Sequence, residues 1–187
     1  DPTLHSLAHL YNCRRGEVAG PWGAAWKLSG DADLELRFRQ LAADGEVVIG
    51  DGKPPISSME DPPYRFTWTL AHRTGDAPLS SQFITLIEAA ESGNRVAREA
   101  EGVPATGTGP FEPVAIQVET SVGSDLIVSS SDGGSVTPDS GEWAFEGEYG
   151  FARSDGQGLR QVSLTGGGRF LVGGMGVERT AGVYETK

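Results

Sequence analysis

Short runs of alternating apolar and polar residues, each closed by a cluster of Gly, Pro, Asp or Ser, follow one another along this chain. A period of two places one set of side chains on one face of an extended backbone, so these runs predict half-buried strands and leave no room for an amphipathic helix of useful length. Leu34 to Leu41 alternates with Leu34, Leu36 and Phe38 on one face, then slips after Gln40. Asp31 and Asp33 precede it and Asp44-Gly45 follows, the punctuation of a hairpin. Glu46 to Ile49 reads as the returning strand, closed by a turn at Gly50-Asp51-Gly52 and stopped by Pro54-Pro55. Arg65 to His72 alternates again, hiding Phe66, Trp68 and Leu70, and Gly75-Asp76 with Pro78 turns the chain. Ser81 to Glu88 then returns with Phe83 and Ile87 on one side and Ile84 and Leu86 on the other. Apolar on both sides, it is expected to be a central strand. Asn94 to Glu101 reads as a further strand.

Gly102 to Pro113 holds three Gly, three Pro and a single charge, Glu112, which marks a connector. Beyond it come Val114 to Val118, Asp125 to Ser129, Trp143 to Glu146, Tyr149 to Arg153, Leu159 to Leu164 and Arg169 to Val172. The turns Ser131 to Gly134, Asp155 to Gly158 and Gly166 to Gly168 separate them. With 27 glycines in 187 residues, turns are frequent. The expectation is an all-β, meander-rich antiparallel β-sandwich: residues 1–101 as one section, 102–113 as connector, and 114–187 as a C-terminal antiparallel section.

Charge narrows the partners. Asp and Glu number 26 against 15 Lys and Arg, a net charge of -11, which repels nucleic-acid backbone and anionic lipid. Neither nucleic acid nor membrane is an expected partner, and no apolar run is long enough to span a bilayer. A polyanion would have to be met by local basic residues. The single Cys13 cannot form an internal disulfide and reads as a small buried hydrophobe. The start at Asp1-Pro2-Thr3 carries neither initiator Met nor leader, which points to a processed product or a fragment.

Few motifs carry chemistry. His5 and His9 stand four apart, but no Glu sits beside the first and no third ligand cluster follows, so neither a metal nor another cofactor is expected. Gly50-Asp51-Gly52-Lys53 lacks P-loop spacing and Gly173-Gly174-Met175-Gly176 opens no helix; turns explain both. No Gly-x-Ser-x-Gly elbow occurs. Three residues stand out as carbohydrate-binding candidates. His72 and Arg73 end a strong strand where a loop begins, and Arg73 can fork onto a uronate carboxylate or pair internally with Asp76. Trp22, between Gly20-Pro21 and Gly23, sits on an exposed-looking stretch where an indole face is able to stack on a sugar. Trp26 and Trp68 read as core.

Two stretches carry a family likeness. Arg65 to Gly75 (RFTWTLAHRTG) leading to Pro78 to Glu88 (PLSSQFITLIE) resembles a hairpin late in the central β-sandwich of heparinase II/III-like polysaccharide lyases. The order Gly123-Ser124-Asp125-Leu126-Ile127-Val128, Phe145 to Gly150, Asp155-Gly156 and Gly166 to Gly168 is similar to the closing β domain of the same family. Trp26-Lys27-Leu28, Leu34 to Leu41 and Glu46-Val47-Val48 also fit. The resemblance implies β-elimination on uronate-containing polysaccharide by a parent enzyme, and a periplasmic or secreted setting. In that family the principal catalytic Tyr, Asn and His, and the metal cluster of some members, lie on an upstream α/α toroid and in the first half of the sandwich. No catalytic or metal residue is therefore carried onto this chain, although Tyr11, Tyr64, Tyr149 and three His supply the residue types. The implied role is a non-catalytic C-terminal β portion that scaffolds the toroid and lines part of the cleft. An apolar patch left by the missing toroid would favour self-association. The rival readings are a free-standing carbohydrate-binding or adhesion sandwich and a purely structural subunit.

Overall fold

A computed structural model describes residues 10–28, 30–42, 44–52, 66–78, 81–91 and 93–179, and within them every regular element is a strand. The chain divides into two units, Asp1–Gly23 with Arg39–Thr85, and Ala24–Phe38 with Leu86–Lys187. All strand pairs with described register are antiparallel, so the all-β antiparallel expectation holds.

The first unit is built on β1 (Leu10–Ala19), β4 (Asp44–Gly52) and β5 (Phe66–His72), ordered β1-β4-β5. Val47 and Val48 point to opposite faces of β4 and are both buried. A bulge between Tyr11 and Arg14 opposes Asn12 and Cys13 to the single Gly50. Asn12 takes φ 52, and its side-chain amide donates to Asp51 Oδ2 at 3.0 Å, fixing the kink.

A second three-stranded sheet has the order β2-β3-β6, from β2 (Trp22–Leu28), β3 (Asp31–Ala42) and β6 (Ile84–Glu91). The two expected hairpins are thereby corrected: β3 does not pair with β4, nor β5 with β6, because the chain changes sheet at both reversals. Ser81 to Glu88 is not central either. Among the described residues β6 is an edge strand with one hydrogen-bonded neighbour, and Phe83 and Ile87 are 54% and 63% exposed. On β3 the expected apolar face is covered only in part, with Leu34 and Phe38 half-buried. Leu36 is exposed, whereas Glu35 and Arg37, joined at 2.8 Å, keep side chains only 16% and 12% exposed.

In the second unit two five-stranded sheets share one core. The first has the order β14-β13-β10-β9-β7, from β7 (Ala97–Gly102), β9 (Val114–Thr120), β10 (Ser124–Ser129), β13 (Tyr149–Asp155) and β14 (Gly158–Thr165). The second has the order β16-β15-β12-β11-β8, from β8 (Ala105–Gly107), β11 (Ser135–Pro138), β12 (Trp143–Glu146), β15 (Arg169–Val172) and β16 (Met175–Glu178). The chain lays down β9-β10, β11-β12, β13-β14 and β15-β16 alternately in the two sheets. The stretch 102–113, expected as a connector, lies within this unit and supplies β8, which pairs with β11.

The core forms from the period-two faces. Ala115, Val128 and Ala152 of one sheet meet Val136, Trp143, Phe145 and Phe170 of the other. Small residues face large ones, as in a row Ala115, Val128, Gly150 and Leu164 against the Phe145–Phe170 pair. The glycine-rich separators are the crossings between sheets. Ser130 N–H donates to Glu148 O, Glu148 N–H to Thr165 O, and Gly168 N–H to Glu146 O, so three crossings lie side by side. At Gly167 a Cβ would sit 2.0 Å from Glu146 O, which leaves room for glycine alone. On the opposite face of the first sheet, buried Asp125 accepts from Arg153 Nε at 2.6 Å and Nη2 at 2.7 Å, a forked cross-strand pair.

Two turns behave as read. Gly173-Gly174, both at positive φ, join β15 to β16 in a two-residue hairpin. In the β13–β14 turn, Asp155 accepts from Arg160 Nε at 2.6 Å and from Gln157 N–H at 2.8 Å, and these two bonds, Arg160 foremost, hold its carboxyl below the ordinary aspartate range. A depressed folded-state value stabilises above the unfolded-state value and is lost as pH falls through the lowered one. An NMR pH titration should place the Asp155 midpoint below that of a free aspartate, and Arg160→Ala should raise it. An unchanged midpoint in Arg160→Ala would remove Arg160 as the cause.

Candidate functional site

The register of β1-β4-β5 sorts its side chains by face. Residues directly opposite across an antiparallel pair point the same way. Glu46 stands opposite His72 and Glu17, Val48 opposite Leu70 and Arg15, and Gly50 opposite Trp68. One face therefore has a polar end, with Glu17, Arg15, Glu46 and His72, and an apolar end, with Trp68 beside Gly50 and Gly52.

At the polar end Glu46 is the hub. Its Oε1 accepts from Arg15 Nε at 2.8 Å and Nη2 at 2.6 Å, and its Oε2 lies 3.8 Å from His72 Nδ1. Arg15 and His72 are about half exposed, so both reach solvent, and Glu46 orients Arg15.

At the apolar end the strand glycines are the structural key. A Cβ on Gly52 would lie 2.6 Å from Trp68 Nε1 and 2.9 Å from Leu10 Cδ2. One on Gly50 would lie 2.8 Å from Cys13 Sγ. These glycines are paired residues of β4 and not the expected turn: neighbouring side chains occupy the space their own would need. Trp68 seats its pyrrole edge on Gly52 and remains 40% exposed, correcting its assignment to the core. Cys13 is likewise exposed and not buried.

The residues singled out in the sequence are only partly gathered. His72 ends β5 within the array, and Arg73 follows it, exposed. Trp22 opens β2 of the other three-stranded sheet and is half-buried in a strand. Trp26 is half-buried and Trp143 is the core indole. His5, His9 and Tyr64 lie outside the described residues. Trp68, Arg15 and Glu46 went unrecognised as site residues; glycines spaced two apart within a run that pairs as a strand were the available signal.

Hollows also lie elsewhere among the described residues. Glu99, Glu101, Gln117 and Glu119 line an acidic one of about 180 Å³, where hydrogen bonds from Gln117 and Ser124 hold the Glu119 carboxyl below the ordinary range. Residues 103–113 curl around an open groove of about 490 Å³ that carries one exposed aromatic, Phe111. Among the described residues no three His, Cys, Asp or Glu side chains are grouped for a metal, and no helix is long and apolar enough to cross a membrane. No family model, curated protein or solved structure matches this chain.

Proposed function

We propose that this chain is the C-terminal, non-catalytic β portion of a heparinase II/III-like lyase acting on uronate-containing polysaccharide by β-elimination. It scaffolds an upstream α/α toroid, lines part of the substrate cleft and works in a periplasmic or secreted setting. The family enters through the resemblance at 65–88. One structural observation favours glycan contact over a purely structural role. The strand within that stretch, β5, ends at exposed His72 and Arg73, and Arg15 shares the sheet face of His72. In a chain of net charge -11, Arg15 and Arg73 are local cations of the kind that a uronate carboxylate requires, and His72 adds a ring N–H donor.

The test uses heparin, heparan sulfate and alginate. The chain is expected to retard at least one of them in affinity electrophoresis and to release no unsaturated uronate by ultraviolet absorbance. His72→Ala combined with Arg73→Ala should weaken retention roughly tenfold at low salt, with the difference shrinking as salt rises. Steady product formation that survives repurification would refute the non-catalytic assignment. Retention of none of the three would refute glycan binding.

A further inference from the structure

We infer that Trp68, seated on Gly52, is a sugar-stacking platform that holds one ring of a uronate-containing oligosaccharide while Arg15 and His72 meet a carboxylate further along it. The inference rests on the glycan-binding reading and adds the residue, the face and the division of labour.

The geometry argues for a sugar. A pyranose offers an apolar C–H face, and an exposed indole offers a matching flat apolar face. Here the indole has no room to fold down. Gly52 lacks a Cβ where the pyrrole edge rests, and Leu10 closes on the same spot from the other side. The seat is narrow: Val48 beside it is buried and Leu70 half-buried. The same face then turns polar at Arg15, Glu46 and His72. Trp68 and His72 are four residues apart on β5, about 13 Å at the usual strand rise, a span that a short oligosaccharide covers. Glu46 engages Arg15 through Nε and Nη2, so the guanidinium is held in one orientation and keeps further donors for a carboxylate.

The test is calorimetric titration of the full chain with alginate oligosaccharides and with the same oligosaccharides after reduction of their carboxyl groups. Trp68→Ala should weaken binding of both probes roughly tenfold, and Trp68→Phe should restore most of it. Arg15→Gln should weaken only the carboxylated probe. A second readout does not depend on the alanine variant folding. Ligand-induced change in tryptophan emission should be present in the parent chain and largely absent in Trp68→Phe. If the parent binds and Trp68→Ala binds equally well, or Trp68→Phe keeps the whole emission change, the platform is overturned and the glycan-binding reading stands. Association of two copies through this face, seen as a dimer that Trp68→Ala dissociates, would also overturn it. If the parent binds neither probe, the platform falls, and the glycan-binding reading falls with it only where heparin and heparan sulfate are not retained either.

Discussion

Phe170→Ala is expected to lower stability by about 3–5 kcal/mol. Phe170 is fully buried on β15, and its ring meets that of Phe145 edge to face, with centroids 5.4 Å apart and planes at 89°. The two stand opposite each other on adjacent strands, and Ala152, Val128 and Ala115 approach from the facing sheet. Removing the ring loses its transfer energy and leaves a cavity between sheets that cannot close without shifting both. The edge-to-face pairing adds about 0.5–1.5 kcal/mol beyond area. Phe111→Ala is the control. Phe111 is exposed beside the groove of residues 103–113, so its loss should fall within about 0.5 kcal/mol of neutral. Urea unfolding monitored by circular dichroism decides the matter. A loss below about 1 kcal/mol for Phe170→Ala, a typical surface-to-mixed effect, would mean that this cluster is not the core.

That core was legible in the sequence because its cause is local. Trp143 and Phe145 alternate with Ala144 and Glu146, and Phe170 and Val172 with Leu171, so period two alone sorts inward from outward. Two-residue turns such as Gly173-Gly174 were equally legible, because positive φ at both positions forces the flanking strands to pair. Longer reversals were not. Asp44-Gly45 reads as a turn but pairs with Ala19 and Val18 at the start of β4, and nothing in the Gly75-Asp76 turn states which sheet the next strand joins; in both cases the next strand joins another sheet.

The candidate site failed for the same physical reason. His72 was noticed as a strand end, while its partner Glu46 lies far off in sequence and is fixed only by register. Glycine is permissive in turns and strands alike, so Gly50 and Gly52 were ambiguous until Trp68, Leu10 and Cys13 claimed the space above them. Trp68 looked buried because its run alternates, yet the strand opposite offers it backbone to rest on and no side chains to sink between. On β3 the apolar set Leu34, Leu36 and Phe38 gave the period correctly, but how far each face is covered is set by tertiary packing, which half-buries Leu34, Phe38 and the Glu35–Arg37 pair and leaves Leu36 exposed.

Gly150→Ala is expected to cost about 1–3 kcal/mol, although alanine is the better strand residue in general. A Cβ at Gly150 would lie 2.6 Å from Phe145 Cε2 and 2.9 Å from Phe170 Cδ1, and both rings are locked in the core. The added methyl must push the sheets apart or drive a ring from its rotamer. Gly102→Ala on β7 makes the same chemical change with nothing within 4 Å of the new atom. It should be neutral or stabilising by up to about 1 kcal/mol, since glycine loses the more backbone freedom on folding. Opposite signs for one substitution at two strand positions would isolate the close approach of the sheets as the cause. The cause is checked further in a Phe145→Leu background. That change destabilises on its own but opens space beside Gly150, so the penalty of Gly150→Ala should shrink there by more than about 0.5 kcal/mol, beyond what independent sites show. Strict additivity, or a stabilising Gly150→Ala in the parent chain, would show that the sheets stand further apart at this point than the contact distances require.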